Sequence, residues 1–224
     1  MTTIFPQEAA CGLCGEKSSY MAIGSTNCFG PSDLDTRPAE MERSTIPYWV
    51  QRCPNCGYCA EALEIKVSET VRRLVESNGY KDALMDDRFP KLSNEFHCLA
   101  LIRLKKRNHK AAFCPYLHAA WVCDDESNTE GSKMFRTKAI EVLERDGKKG
   151  IRVSEDLNVQ NTIRVDLYRR IGQFERAGSL AVSLMKHELE DIVKSILGYE
   201  LLLIARGDDA VHNVQEAIDH GNVN

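Results

Sequence analysis

The sequence predicts a mainly α protein with a small β ribbon: an N-terminal four-cysteine ribbon followed by a tetratricopeptide-like antiparallel helical array. Two matched CxxCG turns lie within the first 60 residues, and apolar side chains recur at helical spacing after residue 68. A third signal is the stretch LYRRIGQFERA, which combines aromatic, glycine and small residues as helical repeats do. We expect the ribbon to span residues 1–67 and the helical domain to span residues 68–224.

The composition indicates a globular protein. With 43% hydrophobic and 28% charged residues, the 224-residue chain can bury a sizeable core. The formal net charge is −4 and both signs are spread along the chain, so no block predicts attraction to a polyanion or a membrane surface.

The N-terminus lacks a basic start before an apolar run, which argues against a secretory signal and predicts a cytoplasmic protein. The apolar stretch 192–205 contains Lys194 and Glu200 and is shorter than the about 20 residues that cross a bilayer, so we expect no membrane span.

The two cysteine pairs predict a zinc site. Cys11 and Cys14 stand in CGLCG, and Cys53 and Cys56 stand in CPNCG. The glycine after each second cysteine permits the positive φ that a zinc knuckle needs, and nine cysteines in a reducing cytosol do not suggest disulfides. Four thiolates form a closed, structural Zn²⁺ site of the zinc-ribbon type, with no position left for water. The alternatives are unliganded thiols or a redox pair, but a redox CxxC would start a helix within a βαβ unit, and neither pair has that setting.

The other cysteines near the knuckles, and the loop between the knuckles, are expected to be structural. Cys59 could replace Cys56 as a ligand, but the proline and glycine of CPNCG frame Cys53 and Cys56 instead. Cys59 and Cys28 are therefore expected to be small buried residues. Asp33 and Asp35 could hold a second metal ion or a partner's arginine, but we expect the loop from Asp33 to Arg43 to be solvated, with local turn hydrogen bonds and ion pairs.

Downstream of the knuckles the chain predicts one short strand and then helices. Residues 63–67, LEIKV, are β-like, and Ser68 begins a helix that Asn78-Gly79 ends. The stretch SKMFRTKAIEVLERDG predicts another helix, ending at Gly147. The other helical segments are 93–108, 110–125, 157–173, 174–189, 192–205 and 209–218.

Segments 157–173 and 174–189 predict an antiparallel helix hairpin. Each carries an apolar stripe, formed by Val159, Ile163, Leu167 and Ile171 in the first and by Ala177, Leu180, Ala181 and Leu184 in the second. The tetratricopeptide-like positions are Tyr168, Gly172, Phe174 and Ala177. An earlier stretch with Ala100 and Ala112 repeats this pattern less well, so a plain irregular helical bundle is the alternative.

The combination of CGLCG, DLDTRPAEMER, WVQRCPNCGYCA and LYRRIGQFERA resembles a bacterial family of unknown function, number 2225 in the domain-of-unknown-function series. The resemblance covers most of the chain. It implies a zinc ribbon joined to a tetratricopeptide-like region in a cytosolic protein, with the ligands Cys11, Cys14, Cys53 and Cys56. It implies no activity.

Three functions are compatible with these patterns, and the first is the one we predict: a scaffold that binds a protein partner through its helical surface. The second is nucleic-acid binding. Residues 1–60 carry four Lys or Arg against six Asp or Glu, so the ribbon lacks a basic stripe. The one basic run, Arg103 to Lys110, includes Lys105, Lys106 and Arg107 and is explained by the dipole at a helix C-terminus.

The third function is an enzyme that uses Cys114 and His118, four residues apart on one helix and near His97, Cys98 and Cys123. Cysteines among Phe, Leu, Ala and Trp are usually core residues. The sequence contains no phosphate-binding glycine loop, nucleophile elbow or HExxH pattern. We therefore do not predict catalysis.

Overall fold

A computed structural model describes residues 1–145 and 150–223 of the chain. The predicted fold class is confirmed, since short antiparallel strands and four clustered cysteines at the N-terminus are followed by helices. The chain forms two compact units, one of Met1–Cys28 with Met41–Val142 and the other of Phe29–Glu40 with Leu143–Asn224. The division into domains at residue 67 stays a prediction.

The ribbon consists of two antiparallel hairpins. In the first, β1 (Thr3–Ala10) pairs with β2 (Lys17–Ser25), and in the second, β3 (Gln51–Arg52) pairs with β4 (Cys59–Ala60). Each hairpin is closed by six residues, 11–16 and 53–58, and each of these turns contains one CxxCG sequence. A 3-10 helix, Arg43–Tyr48, precedes the second hairpin.

The rest of the chain is helical. The helices are α1 (Glu69–Glu76), α2 (Asn78–Leu84), α3 (Lys91–Lys105), α4 (His109–Asp125), α5 (Thr129–Glu144), α6 (Leu157–Arg170), α7 (Phe174–Leu184), α8 (Asp191–Ala205) and α9 (Val214–Val223). Neighbours along the chain pack in pairs, α3 with α4, α6 with α7 and α8 with α9. Within the described ranges, no helix combines the length and apolarity needed to cross a membrane.

Two predicted boundaries near the ribbon differ from the structure. Residues 63–67 are not a strand, because their backbone lies against the first knuckle and the Leu63 carbonyl accepts a hydrogen bond from Gly12 N at 2.7 Å. Asn78 and Gly79 do not end a helix but begin α2. The break lies at Ser77, whose extended backbone and hydroxyl, which accepts from Tyr80 N, cap the new helix. The predicted helix end at Gly147 lies outside the described residues.

The apolar stripe predicted for α6 is only partly correct. Leu167 is fully buried, but Val159 is 37% exposed, and the inward face instead carries charged residues such as Asp166 and Arg169. Arg169 donates from Nε to Glu200 at 2.7 Å and from Nη2 to Asp166 at 2.5 Å. A buried guanidinium needs such partners, which a purely apolar face could not supply.

Part of the chain between the knuckles, Phe29–Glu40, belongs to the second compact unit. Asp33, Asp35 and Arg37 are buried, so the expectation that these residues are solvated is wrong. The expected local turn hydrogen bonds are present, from Asp33 N to the Arg37 carbonyl and from Thr36 N to the Asp33 carbonyl, both at 2.9 Å. The reason for the burial is that this segment packs far along the chain: Leu34 N donates to the carbonyl of His212, which precedes α9, at 2.9 Å. A loop that contributes to a core cannot be recognised by its polar composition alone.

The Leu34 side chain is the centre of that packing. It is 5% exposed and lies in an apolar cluster with Leu203 and Ala217, against which Tyr199 and Val214 also pack. The loop segment thus completes the contact between α8 and α9.

We expect Leu34→Ala to destabilise the second unit by about 2–5 kcal/mol, because it leaves a cavity under α8 and α9. Amide hydrogen exchange should become faster in both helices. Leu157→Ala, at a 38% exposed site in the same unit, is the control and should leave their exchange unchanged. Unaltered exchange in the Leu34→Ala protein would contradict this role of the segment.

Candidate metal centre

The two cysteine turns have the same backbone hydrogen bonds. In the first, Cys11 N donates to the Glu16 carbonyl and Gly15 N to the Cys11 carbonyl, both at 2.8 Å. The second turn repeats both bonds, from Cys53 N to the Tyr58 carbonyl at 2.9 Å and from Gly57 N to the Cys53 carbonyl at 3.0 Å. Gly15 and Gly57 have φ of 80° and 74°, the positive values that the sequence predicts. The matched turns present their sulfurs in the same way.

The four paired cysteines converge. The Sγ atoms of Cys11, Cys14, Cys53 and Cys56 all lie within 4.8 Å of one another, with Cys11 and Cys56 3.8 Å apart and Cys14 and Cys53 3.6 Å apart. A disulfide would require about 2.05 Å. A tetrahedral ion with metal–sulfur bonds of about 2.3 Å has sulfur–sulfur edges of about 3.8 Å. The cluster could therefore bind a metal ion, and no other such group occurs among residues 1–145 and 150–223.

Burial and hydrogen bonding act in opposite directions on the thiols. Burial raises the pKa of Cys11 and of Cys56. For Cys14, burial also acts upward, but the Glu16 amide and the neighbouring sulfurs lower its pKa to about 7. The Leu13 amide points at Cys11 Sγ from 3.4 Å. Backbone donors directed at sulfur favour the thiolate, which is the form that binds a metal.

Two helices hold the turns from outside. Arg72 of α1 donates from Nη2 to the Leu13 carbonyl at 2.6 Å. Tyr80 of α2 is buried, and its hydroxyl donates to the Gly57 carbonyl at 3.1 Å and accepts from Cys59 N at 3.2 Å. Sequence reasoning did not identify either residue, because nothing in the local pattern links a helix to a turn about 20 or more residues away.

Gly12 is a further residue that the sequence did not single out. A Cβ atom at this position would lie 2.2 Å from the Ile65 carbonyl oxygen, whereas a Cβ atom on Gly15 would meet nothing within 4 Å. Gly12 is therefore required by the close approach of another backbone segment, and Gly15 by its positive φ alone.

The other cysteines divide between core and surface. Cys59 is fully buried, as predicted, and so are Cys98 and Cys123. Cys28 is exposed, so the expectation that it is a buried residue is wrong. It follows the end of β2 in a run of exposed residues, 27–31, where a small apolar side chain has no core to enter.

The proposed nucleophile pair shows no activation. Cys114 is exposed on α4 as a residue. Partial burial of its thiol and the negative charge of Glu61 nevertheless raise the pKa of the thiol, which disfavours a thiolate. His118 lies among aromatic rings, with ring centroids 4.9 Å from Trp49 and 5.2 Å from Phe96. Burial lowers the pKa of His118 to about 4, and burial together with Lys138 lowers that of His97 to about 4. Both histidines are neutral packing residues near pH 7.

The basic run lies at the turn between α3 and α4. Lys105, Lys106 and Arg107 are exposed, and Arg107 has a φ of 57° where the chain leaves the helix. Their position at the C-terminus of α3 is the one that the helix-dipole interpretation predicts, whereas Lys110 of the same run lies in the first turn of α4, which that interpretation does not cover. That these three residues do not bind nucleic acid stays a prediction.

The fold and site define a mainly helical protein with an N-terminal four-cysteine ribbon that could bind a metal ion. The chain belongs to the family described as "Uncharacterized protein conserved in bacteria (DUF2225)", whose model matches residues 4–196. The match includes both cysteine turns and the α6–α7 pair. No curated protein and no solved structure matches the chain.

We expect Gly12→Ala to destabilise the ribbon more than Gly15→Ala. In Gly15→Ala the cost is that of a non-glycine residue at positive φ, about 1–2 kcal/mol, whereas Gly12→Ala forces the 63–67 backbone away from the turn. Denaturant unfolding at one fixed metal concentration compares the two variants. Equal losses would contradict the close approach at Gly12.

The buried histidines predict an acid-sensitive core. The folded pKa of His118 lies below its unfolded value of about 6.5. The contribution of the neutral ring to the free energy of unfolding is therefore complete above pH 6.5 and is lost as the pH falls towards 4. The full loss would approach about 3 kcal/mol. In His118→Phe, the free energy of unfolding should fall less steeply between pH 6.5 and 4.5 than in the wild type.

Any metal release in acid affects both proteins and cancels in this comparison. His187→Gln, at an exposed position, controls for the removal of a histidine. A change of slope that is equally large in His187→Gln would contradict the assignment to His118.

Proposed function

We propose that the protein is a zinc-organised interaction scaffold. One structural Zn²⁺ ion, held by Cys11, Cys14, Cys53 and Cys56, fixes the ribbon, and the helical array binds a protein partner. The observation that carries the metal assignment is the sulfur arrangement, whose separations of 3.6 and 3.8 Å match the edges of a tetrahedral site.

Zinc suits this donor set better than other abundant divalent ions. Soft thiolates select zinc, whereas Mg²⁺ and Ca²⁺ prefer oxygen ligands. When bound, the ion cross-links the two hairpins, and four thiolates leave no open position for a substrate. The site is therefore proposed to be structural and not catalytic.

The helical part supports the scaffold role. Consecutive helices pack in pairs, and arrays of this kind present long surfaces to peptides or domains. The tetratricopeptide-like description is supported by the α6–α7 turn, where Gly172 has a φ of 79° and the small Ala177 is fully buried between the helices.

Metal and thiol counts test the zinc site. We expect one zinc per purified chain, two accessible thiols (Cys28 and Cys114) that react without chelation, and four more after chelation, because only those two of the five remaining cysteines are exposed. Atomic emission and a thiol reagent give both numbers. Two metals per chain, or an ion that retains a water ligand, would contradict the closed site.

Two exposed cysteines provide matched variants. Cys14→Ser should lose the zinc and loosen the ribbon, whereas Cys114→Ser should keep one zinc per chain and the wild-type unfolding curve. Loss of zinc from both variants, or from neither, would contradict the assignment of Cys14 as a zinc ligand.

A further inference from the structure

A groove of about 510 Å³ opens beside α6 and α7 within the second compact unit. Charged and hydroxyl side chains line it together with the buried ring of Tyr168. None of these residues belongs to the cysteine cluster, and the proposed zinc site makes no use of them.

One wall of the groove is fixed by hydrogen bonds. The Tyr168 hydroxyl donates to the Glu144 carboxylate, and Arg176 donates from Nη2 to Glu144 at 2.9 Å and to the Tyr168 hydroxyl at 2.8 Å. The Arg176 guanidinium also lies 4.3 Å from the centroid of the tyrosine ring. Burial and the bond to Glu144 raise the pKa of Tyr168 to about 12, so its hydroxyl stays protonated. Glu144 and Arg176 thus satisfy each other.

Arg164 is in a different situation. Its guanidinium lies over the Tyr168 ring at 5.7 Å from the centroid and lines the groove. Its Nε atom is buried and has no hydrogen-bond partner among the described residues, so a ligand in the groove would bond to the terminal Nη groups. A cation placed over an aromatic face keeps its N–H groups available for a planar anion.

The opposite wall supplies hydroxyl groups. Ser179 and Ser183, one turn apart on α7, line the same groove, with the apolar Leu180 between them. Two arginines and two glutamates, Glu144 and Glu175, make the lining neutral in formal charge. Because Arg176 is paired with Glu144, Arg164 is the arginine of this lining that can meet an anion, and one carboxylate matches one such cation. The chain of phosphates in a nucleic acid would in addition meet both glutamates.

We propose that this groove binds an acidic peptide segment, with one Asp or Glu carboxylate bonded to Arg164 and to the hydroxyls of Ser179 and Ser183. The inference rests on the proposed interaction function and specifies the chemistry of the partner. The apolar side of the segment would pack on Leu180.

The test uses the full-length, zinc-loaded protein and a phage library of random octapeptides. We expect selected peptides to be enriched in Asp or Glu. The affinity of one selected peptide, measured by fluorescence anisotropy, should fall at least about tenfold for Arg164→Gln, since a charge-assisted hydrogen bond is lost. Arg206→Gln, at an exposed site in the same unit, is the matched control and should bind as the wild type does. Zinc content and circular dichroism confirm that both variants are folded.

A second set of measurements assigns the contact. Replacing the acidic residue of the peptide by its amide should weaken binding to the wild type. It should not weaken binding to Arg164→Gln any further, because the two changes remove the same interaction. Enrichment of neutral or basic peptides, or equal affinity of wild type and Arg164→Gln, would overturn the acidic-segment proposal while leaving the scaffold function standing. Binding of a single-stranded RNA 20-mer that depends on Arg164 would overturn it as well. A library that yields no peptide would count against the scaffold function itself.

Discussion

The spacing of four sulfur atoms is the constraint on which the ribbon depends. Two hairpin turns of equal length present the sulfurs, and the second hairpin has only two residues in each strand. Hairpins of this size are at best marginally stable in water. A tetrahedral cross-link would connect them where hydrophobic burial cannot, and Arg72 and Tyr80 hold the two turns at hydrogen-bond distance from the neighbouring helices.

Part of the chain between the two cysteine turns contributes to the core of the second compact unit. Residues Phe29–Glu40 leave the ribbon unit and join the helices of the other compact unit, where Leu34 fills part of the core. The length between the knuckles, which is long for a zinc ribbon, is thereby accounted for. It also explains why Asp33 and Asp35 are buried, although their sequence context is that of an exposed turn.

Helix α6 shows how one residue type takes two roles. Arg169 points inward, where Asp166, Glu200 and two backbone carbonyls accept four hydrogen bonds from it, so it fixes structure. Arg164, five residues earlier, lines a groove and has an aromatic ring as its contact. The inward arginine is satisfied by the fold itself. The outward arginine lies at the surface of the groove, where the proposed peptide carboxylate would meet it.

The sequence by itself determined the features that follow from local chemistry. The cysteine turns, the glycines at positive φ and most helices could be predicted because each depends on residues within a few positions of one another. Only the tertiary structure decided which distant backbone approaches which turn. The need for Gly12 arises from the Ile65 carbonyl, the loss of the predicted strand at 63–67 from the same approach, and the inward face of α6 from partners on α8. A sequence pattern records the period of an element, but the side of it that is buried depends on neighbours that the pattern does not contain.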